Sequence, residues 1–145
     1  MEQTFSRLPQ GRAFGVFFND WSVLHTLAVD TLTARMAAAR GDTAAAIGAW
    51  RHAVATEDEM NFDDVPDWYY PIRESLGAAL LGNGQALEAE QAFREDLRRN
   101  PRNPRSLFGL SKALAAENKT YEADLVRQSF QAAWKGKQPP RIEDF

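Results

Sequence analysis

"LGAALLGNGQALEAEQAFREDLRRNP", residues 76–101, decides how this chain folds. Two runs with three- and four-residue apolar spacing flank Gly-Asn-Gly at 82–84. That spacing belongs to helices, and the glycines permit a turn between them. The first run ends a helix predicted over Trp68–Leu81; the second predicts a helix over Ala86–Arg99 with Ala89, Phe93 and Leu97 inward. Pro101 forbids its continuation. Upstream, "DVPDWYYPIRE" offers Asp67 as a cap and Pro71 in the first turn, where a missing N–H costs little. Downstream, Asn103 caps and Pro104 opens a helix to about Glu117, and a further helix begins at Asn118 or Thr120 and ends near Lys135 and Gly136. Toward the N-terminus, Asn19 or Asp20 caps a helix over Trp21–Ala39 with Trp21, Leu24, Leu27, Ala28, Leu32 and Met36 on one stripe. Gly41 permits its left-handed end, and Thr43–Thr56 forms a second helix around Ile47, Trp50 and Val54.

The helices repeat. Leu76, Gly77, Leu80 and Ala89 recur 34 residues later as Leu110, Ser111, Leu114 and Ala123. Ala34, Gly41, Ala46 and Trp50 precede Gly77, Gly84, Ala89 and Phe93 by a constant 43. The nine extra residues therefore lie between Trp50 and Gly77, in an interval that holds an acidic loop. Small residues at matched positions let paired helices approach closely, and Phe93 fills the space between pairs.

Composition sets the limits. The 145 residues are 44% hydrophobic and 26% charged, near globular averages for one domain. A net charge of −3 is too mild to point to nucleic acid, and no run reaches the ~20 apolar residues of a membrane span. With no signal-peptide pattern, a cytoplasmic location is expected. The absence of cysteine removes disulfides, thiolate metal sites and cysteine nucleophiles. His25 and His52 are the only histidines, and no nucleophile elbow, phosphate loop or two-histidine zinc spacing occurs. No catalytic residue, resident metal or cofactor is expected.

The repeated Leu-Gly, Leu, Ala and Pro positions resemble the tetratricopeptide repeat over roughly residues 20–135. "DWYYPIRESLGAALL" and "FREDLRRNPRNPRSLFGL" are similar to the C-terminal region of larger bacterial proteins with this repeat. The sequence departs from the pattern at Arg127, where a large apolar residue is expected and Phe130 and Trp134 supply bulk instead. The resemblance implies an all-α fold: an α-solenoid of three antiparallel helix-turn-helix hairpins, about 20–56, 67–99 and 103–135, with an N-terminal arm (1–19), an acidic insertion (57–66) and a C-terminal tail (137–145). It further implies a protein-interaction or scaffold module without catalysis, binding another protein or peptide in a groove lined by the first helix of each hairpin. Thr31, Arg35, Glu74, Arg105, Phe108 and Lys112 fall on that lining. The basic set with which some relatives hold a peptide carboxylate is not reproduced.

Other groups of residues have readings of their own. The arm carries Phe14, Phe17 and Phe18, expected to fold back on the first hairpin or to pair with a second copy, giving a homo-oligomer. The insertion carries Glu57, Asp58, Glu59, Asp63 and Asp64, read as a solvated acidic loop or, alternatively, a divalent-metal or small-ligand site. A regulatory module of a larger enzyme is a further alternative. Arg98, Arg99, Arg102 and Arg105 cluster at a helix end, where cations suit the dipole.

Overall fold

A computed structural model describes residues 19–60, 68 and 71–145. Among these the fold is all-α, with helices α1 (Trp21–Ala39), α2 (Thr43–Asp58), α3 (Ile72–Gly82), α4 (Ala86–Arg99), α5 (Pro104–Ala116) and α6 (Thr120–Ala133), then a 3₁₀ turn at Ile142–Asp144. Each helix packs on the next in sequence, and α3 also meets α5. None of the described helices is long and apolar enough to cross a membrane.

Local chemistry explains most helix ends. Asp20 accepts from Ser22 N–H at 2.9 Å, Asp42 from Ala45 N–H at 3.0 Å and Asn103 from Arg105 N–H at 3.1 Å. Gly41 and Gly84 both take φ +76°, and Asn118 takes φ 62°. These left-handed residues close one turn three times: Asp42, Gln85 and Lys119 N–H donate to the carbonyls of Ala37, Leu80 and Leu114 at 3.0, 2.9 and 2.9 Å. The three turns stand 43 and 34 residues apart, the offsets of the sequence repeat. Thirteen residues separate α2 from α3 and four separate α4 from α5, a difference of nine.

One core joins the helices. Leu27, Trp50, Ile72, Leu76, Phe93, Leu110 and Leu114 are buried in a single cluster, each large side chain contributing roughly 1.5–3 kcal/mol relative to exposure. Ala34, Ala46 and Ala89 are almost fully buried, so the paired helices approach through them. The Phe93 ring has no exposed surface and lies between the backbones of Gly77 on α3 and Gly109 on α5. A Cβ on Gly77 would stand 2.7 Å from that ring, and one on Gly109 closer still.

Several expectations are corrected. The inward face of α1 is Leu24, Leu27, Thr31, Ala34 and Ala37, whereas Trp21, Leu32 and Met36 of the expected stripe are 36%, 51% and 43% exposed. Leu24 and Leu27 of that stripe are inward, but beyond them the buried face continues through the smaller Thr31, Ala34 and Ala37, so Leu32 and Met36 turn away. Helix α3 begins at Ile72, not Trp68; Pro71 precedes it and supplies no side-chain cap. Its first N–H is satisfied from elsewhere: Ile72 donates to Glu57 Oε1 at 3.1 Å. Helix α2 runs on to Asp58, so Glu57 and Asp58 are helical, and the exposed Glu59 is its C-cap. Phe14, Phe17, Phe18, Asp63, Asp64 and the expected cap Asp67 lie outside the described residues.

Candidate functional site

Two ionic clusters occupy the seam between α2, α3, α4 and α5. Arg73, in the first turn of α3, keeps only 7% of its side chain exposed. It donates to Glu57 at 3.2 Å and to both oxygens of Asp58 at 2.7 and 2.5 Å. Arg99 also reaches Asp58, at 2.5 Å, and Glu95 at 3.1 Å. These carboxylates are therefore occupied by guanidinium groups, a fork-to-carboxylate pairing that a buried arginine requires. Burial pushes the Glu57 carboxyl above its ordinary value, with the Ile72 N–H and Arg73 pulling it partly back.

The second cluster centres on Asn103. Its amide donates to Glu74 at 2.7 Å and Asp96 at 2.8 Å while its oxygen caps α5. Asp96, 1% exposed, also accepts from the Ser106 hydroxyl at 2.5 Å and the Asn100 amide at 2.9 Å. Glu74, expected on an exposed surface, is 3% exposed. Burial raises its pKa above the usual range, opposed by Asn103 and Arg105. Arg105 Nε donates to Glu74 at 2.5 Å, so the buried carboxylate fixes the guanidinium at the edge of the surface.

That surface is occupied by the chain itself. After α6, the Trp134 indole N–H donates to the Gln138 carbonyl at 2.9 Å and its ring lies over Gly136, turning the chain back. Pro139 and Pro140 lead into the 3₁₀ turn, braced by Arg141 bonding Asp144 at 2.8 and 3.1 Å. Ile142 and Phe145, three residues apart, both pack against the core cluster. The Phe145 ring is 6.2 Å from Phe108 and 4.2 Å from the Arg105 guanidinium carbon, and Arg105 Nη2 donates to the Asp144 carbonyl at 2.9 Å. Phe108 in turn packs on Phe130 at 5.3 Å and lies 5.3 Å from the Lys112 ammonium. An open cleft of about 580 Å³ remains among Leu81, Phe108, Lys112 and residues 140–143.

Of the expected groove residues, Glu74, Arg105, Phe108 and Lys112 come together here. Thr31 is buried in α1, its hydroxyl without a hydrogen-bond partner among the described residues, and Arg35 is exposed on the same helix. The tail, expected only as a segment after the last helix, is the part the sequence reading missed. Its available signal was an Ile-Glu-Asp-Phe pair of apolar residues at one-turn spacing behind two prolines. Most of the arginine cluster is engaged by carboxylates: Arg98 by Glu95, Arg99 by Glu95 and Asp58, Arg105 by Glu74. His52 Nδ1 stands 2.6 Å from Asp30 Oδ2, and among the described residues no three His, Asp or Glu side chains gather as metal ligands. A larger cleft, about 830 Å³, lies among Leu97, Pro101, Leu107 and the end of α6 and brings no acid–base pair together. No protein-family model matches the chain, and a search of curated proteins finds no significant match.

Proposed function

We propose that the chain is a tetratricopeptide-type α-solenoid of three hairpins that acts as a protein-interaction module. In this reading it binds a short segment of another protein on the α3–α5 face and performs no chemistry of its own. The left-handed turn at Gly41 and Gly84 recurs at Asn118, 34 residues on and without a glycine, which supports the repeat architecture. One observation carries the functional reading. Residues 139–145, a segment with only one helical turn, already lie on this face through Ile142, Phe145 and a backbone carbonyl. A surface that accepts a short segment through two apolar anchors and one carbonyl has the features needed to accept others.

The test is a selection of random peptides displayed on phage against the full chain, with the Phe108→Ala chain as counter-selection. Enrichment of peptides that bind the parent at least tenfold better than Phe108→Ala is expected. If binders are equally retained by both proteins, or none is enriched, the face is not the interaction site. Metal binding at the acidic segment is disfavoured, because Glu57 and Asp58 already neutralise Arg73.

A further inference from the structure

The tail's contacts define which segments this face selects. Its apolar residues, Ile142 and Phe145, stand at positions i and i+3; the residues between them, Glu143 and Asp144, are acidic. The receiving face combines an apolar floor with a basic rim. Leu81 and Phe108 form its apolar floor, and Lys112 is exposed on the same cleft as Glu143. Arg105, held by buried Glu74, covers the Phe145 ring and takes the Asp144 carbonyl. Ile142 and Phe145 remain half-buried, Glu143 and Asp144 are exposed, and the Asp144 carboxylate is taken by Arg141 of the tail itself, so few contacts hold the tail to the face. A segment docked this lightly is displaceable, unlike the 0%-exposed Phe93 beneath it.

We propose that residues 139–145 are an internal occupant of the α3–α5 face. The external partner is then a protein segment of the same chemistry: an aliphatic residue and an aromatic three positions apart, separated by acidic residues. The partner must displace the tail to bind. This rests on the interaction-module reading and sharpens it to a ligand class and a built-in competitor, whose presence lowers apparent affinity by the fraction of time the face is free.

The probe is a fluorescent peptide of residues 138–145, QPPRIEDF, amidated because the observed contacts use side chains and the Asp144 carbonyl. Its anisotropy is titrated with the full chain and with full-length Ile142→Ser/Phe145→Ser, whose own tail has lost both anchors. The variant is expected to bind the peptide at least tenfold tighter than the parent chain, about 1.4 kcal/mol. The same two serines in the peptide, or Phe108→Ala in the protein, should abolish that gain. Circular dichroism with an unchanged helix signal establishes that the variant is folded. A photo-crosslinking benzoylphenylalanine in place of the peptide's last residue gives an independent readout, labelling the segment around Phe108 in the parent chain at saturating peptide. Equal affinity for both proteins, or crosslinks elsewhere, overturns the proposal. Dimerisation of the parent chain that the peptide reverses also overturns it, in favour of tail exchange between copies. If the peptide fails while phage-selected sequences of another pattern bind through Phe108, the ligand class is wrong and the interaction-module reading stands.

Discussion

Replacing Gly109 by alanine should destabilise the protein although alanine favours helices. In an interior helical position alanine gains about 1 kcal/mol over glycine. Against this, the new methyl would sit well inside van der Waals contact with the Phe93 ring. The ring has no room to retreat, being fully buried with Gly77 against it. Forced overpacking costs about 1–3 kcal/mol, and a ring confined between two backbones belongs at the upper end. The net loss is then about 2 kcal/mol, a fall in melting temperature of roughly 6 °C for a chain of this size. The decisive measurement is a double-mutant cycle by urea unfolding, followed by circular dichroism, with Phe93→Leu as the partner substitution. Removing the ring should relieve the overlap, turning Gly109→Ala from harmful to neutral or favourable and giving a coupling of about 2–3 kcal/mol. Effects that add within about 0.5 kcal/mol would show that Phe93 does not lie between the two glycines as described.

Other substitutions probe the ionic seam and the repeated turn. Arg73→Ala should cost about 1–3 kcal/mol in urea unfolding, because it leaves the part-buried Glu57 with only the Ile72 N–H while Asp58 keeps Arg99; a loss under about 0.5 kcal/mol would mean that the pair is solvated. Asn103→Asp should destabilise more than Asn103→Ala, since it sets a third carboxylate against Glu74 and Asp96, and the reverse order would contradict the amide bridge. Asn118→Gly should be neutral or stabilising by up to about 1 kcal/mol and Asn118→Val destabilising, because φ 62° is strained for a β-branched residue; equal effects in thermal melts would argue against the left-handed turn. Stability should also peak on the acid side of neutrality. Glu57 and Glu74 titrate above the ordinary 4.5 because of burial, so the native state holds more protons than the unfolded chain and stability falls as pH rises through their folded values. Burial would raise Glu90 too, but Lys119 and Arg94 outweigh it and hold it at about 2, while Arg98 and Arg99 hold Glu95 at about 2; their contribution is present above 4.5 and lost as pH falls toward 2. Melting temperatures that rise steadily up to neutral pH would refute the upward shift of the first pair.

What the sequence revealed was local. Helix periodicity, the Asn103–Pro104 start, the left-handed end at Gly41 and the Gly-Asn-Gly break at 82–84 are properties of a few neighbouring residues, and each has a direct backbone meaning. The start of α3 was misplaced because its first N–H is met by Glu57, fifteen positions earlier in the chain, a partner that neighbouring residues do not reveal. The inner face of α1 was misread because close approach selects Thr31, Ala34 and Ala37, while the larger Leu32 and Met36 carry the stronger apolar signal. At the candidate site, Arg105, Phe108 and Lys112 were found by repeat position. The burial of Glu74 and the docking of Ile142 and Phe145 were not, because both depend on which groups the completed fold brings opposite them.

The bond from Ile72 N–H to Glu57 gives the fold a direction. The end of α2 supplies the start of α3, so α3 has no complete N-terminus until α2 exists. A chain made from its N-terminus presents α2 first, and the later helix then initiates on a finished template. A fragment beginning at Trp68 would carry every residue of α3 and still lack its first acceptor. Amide exchange in that fragment should be fast at the first turn of α3 and normal at α5, whose cap, Asn103, travels with it; protection of Ile72 in the fragment would show that the order of synthesis does not matter.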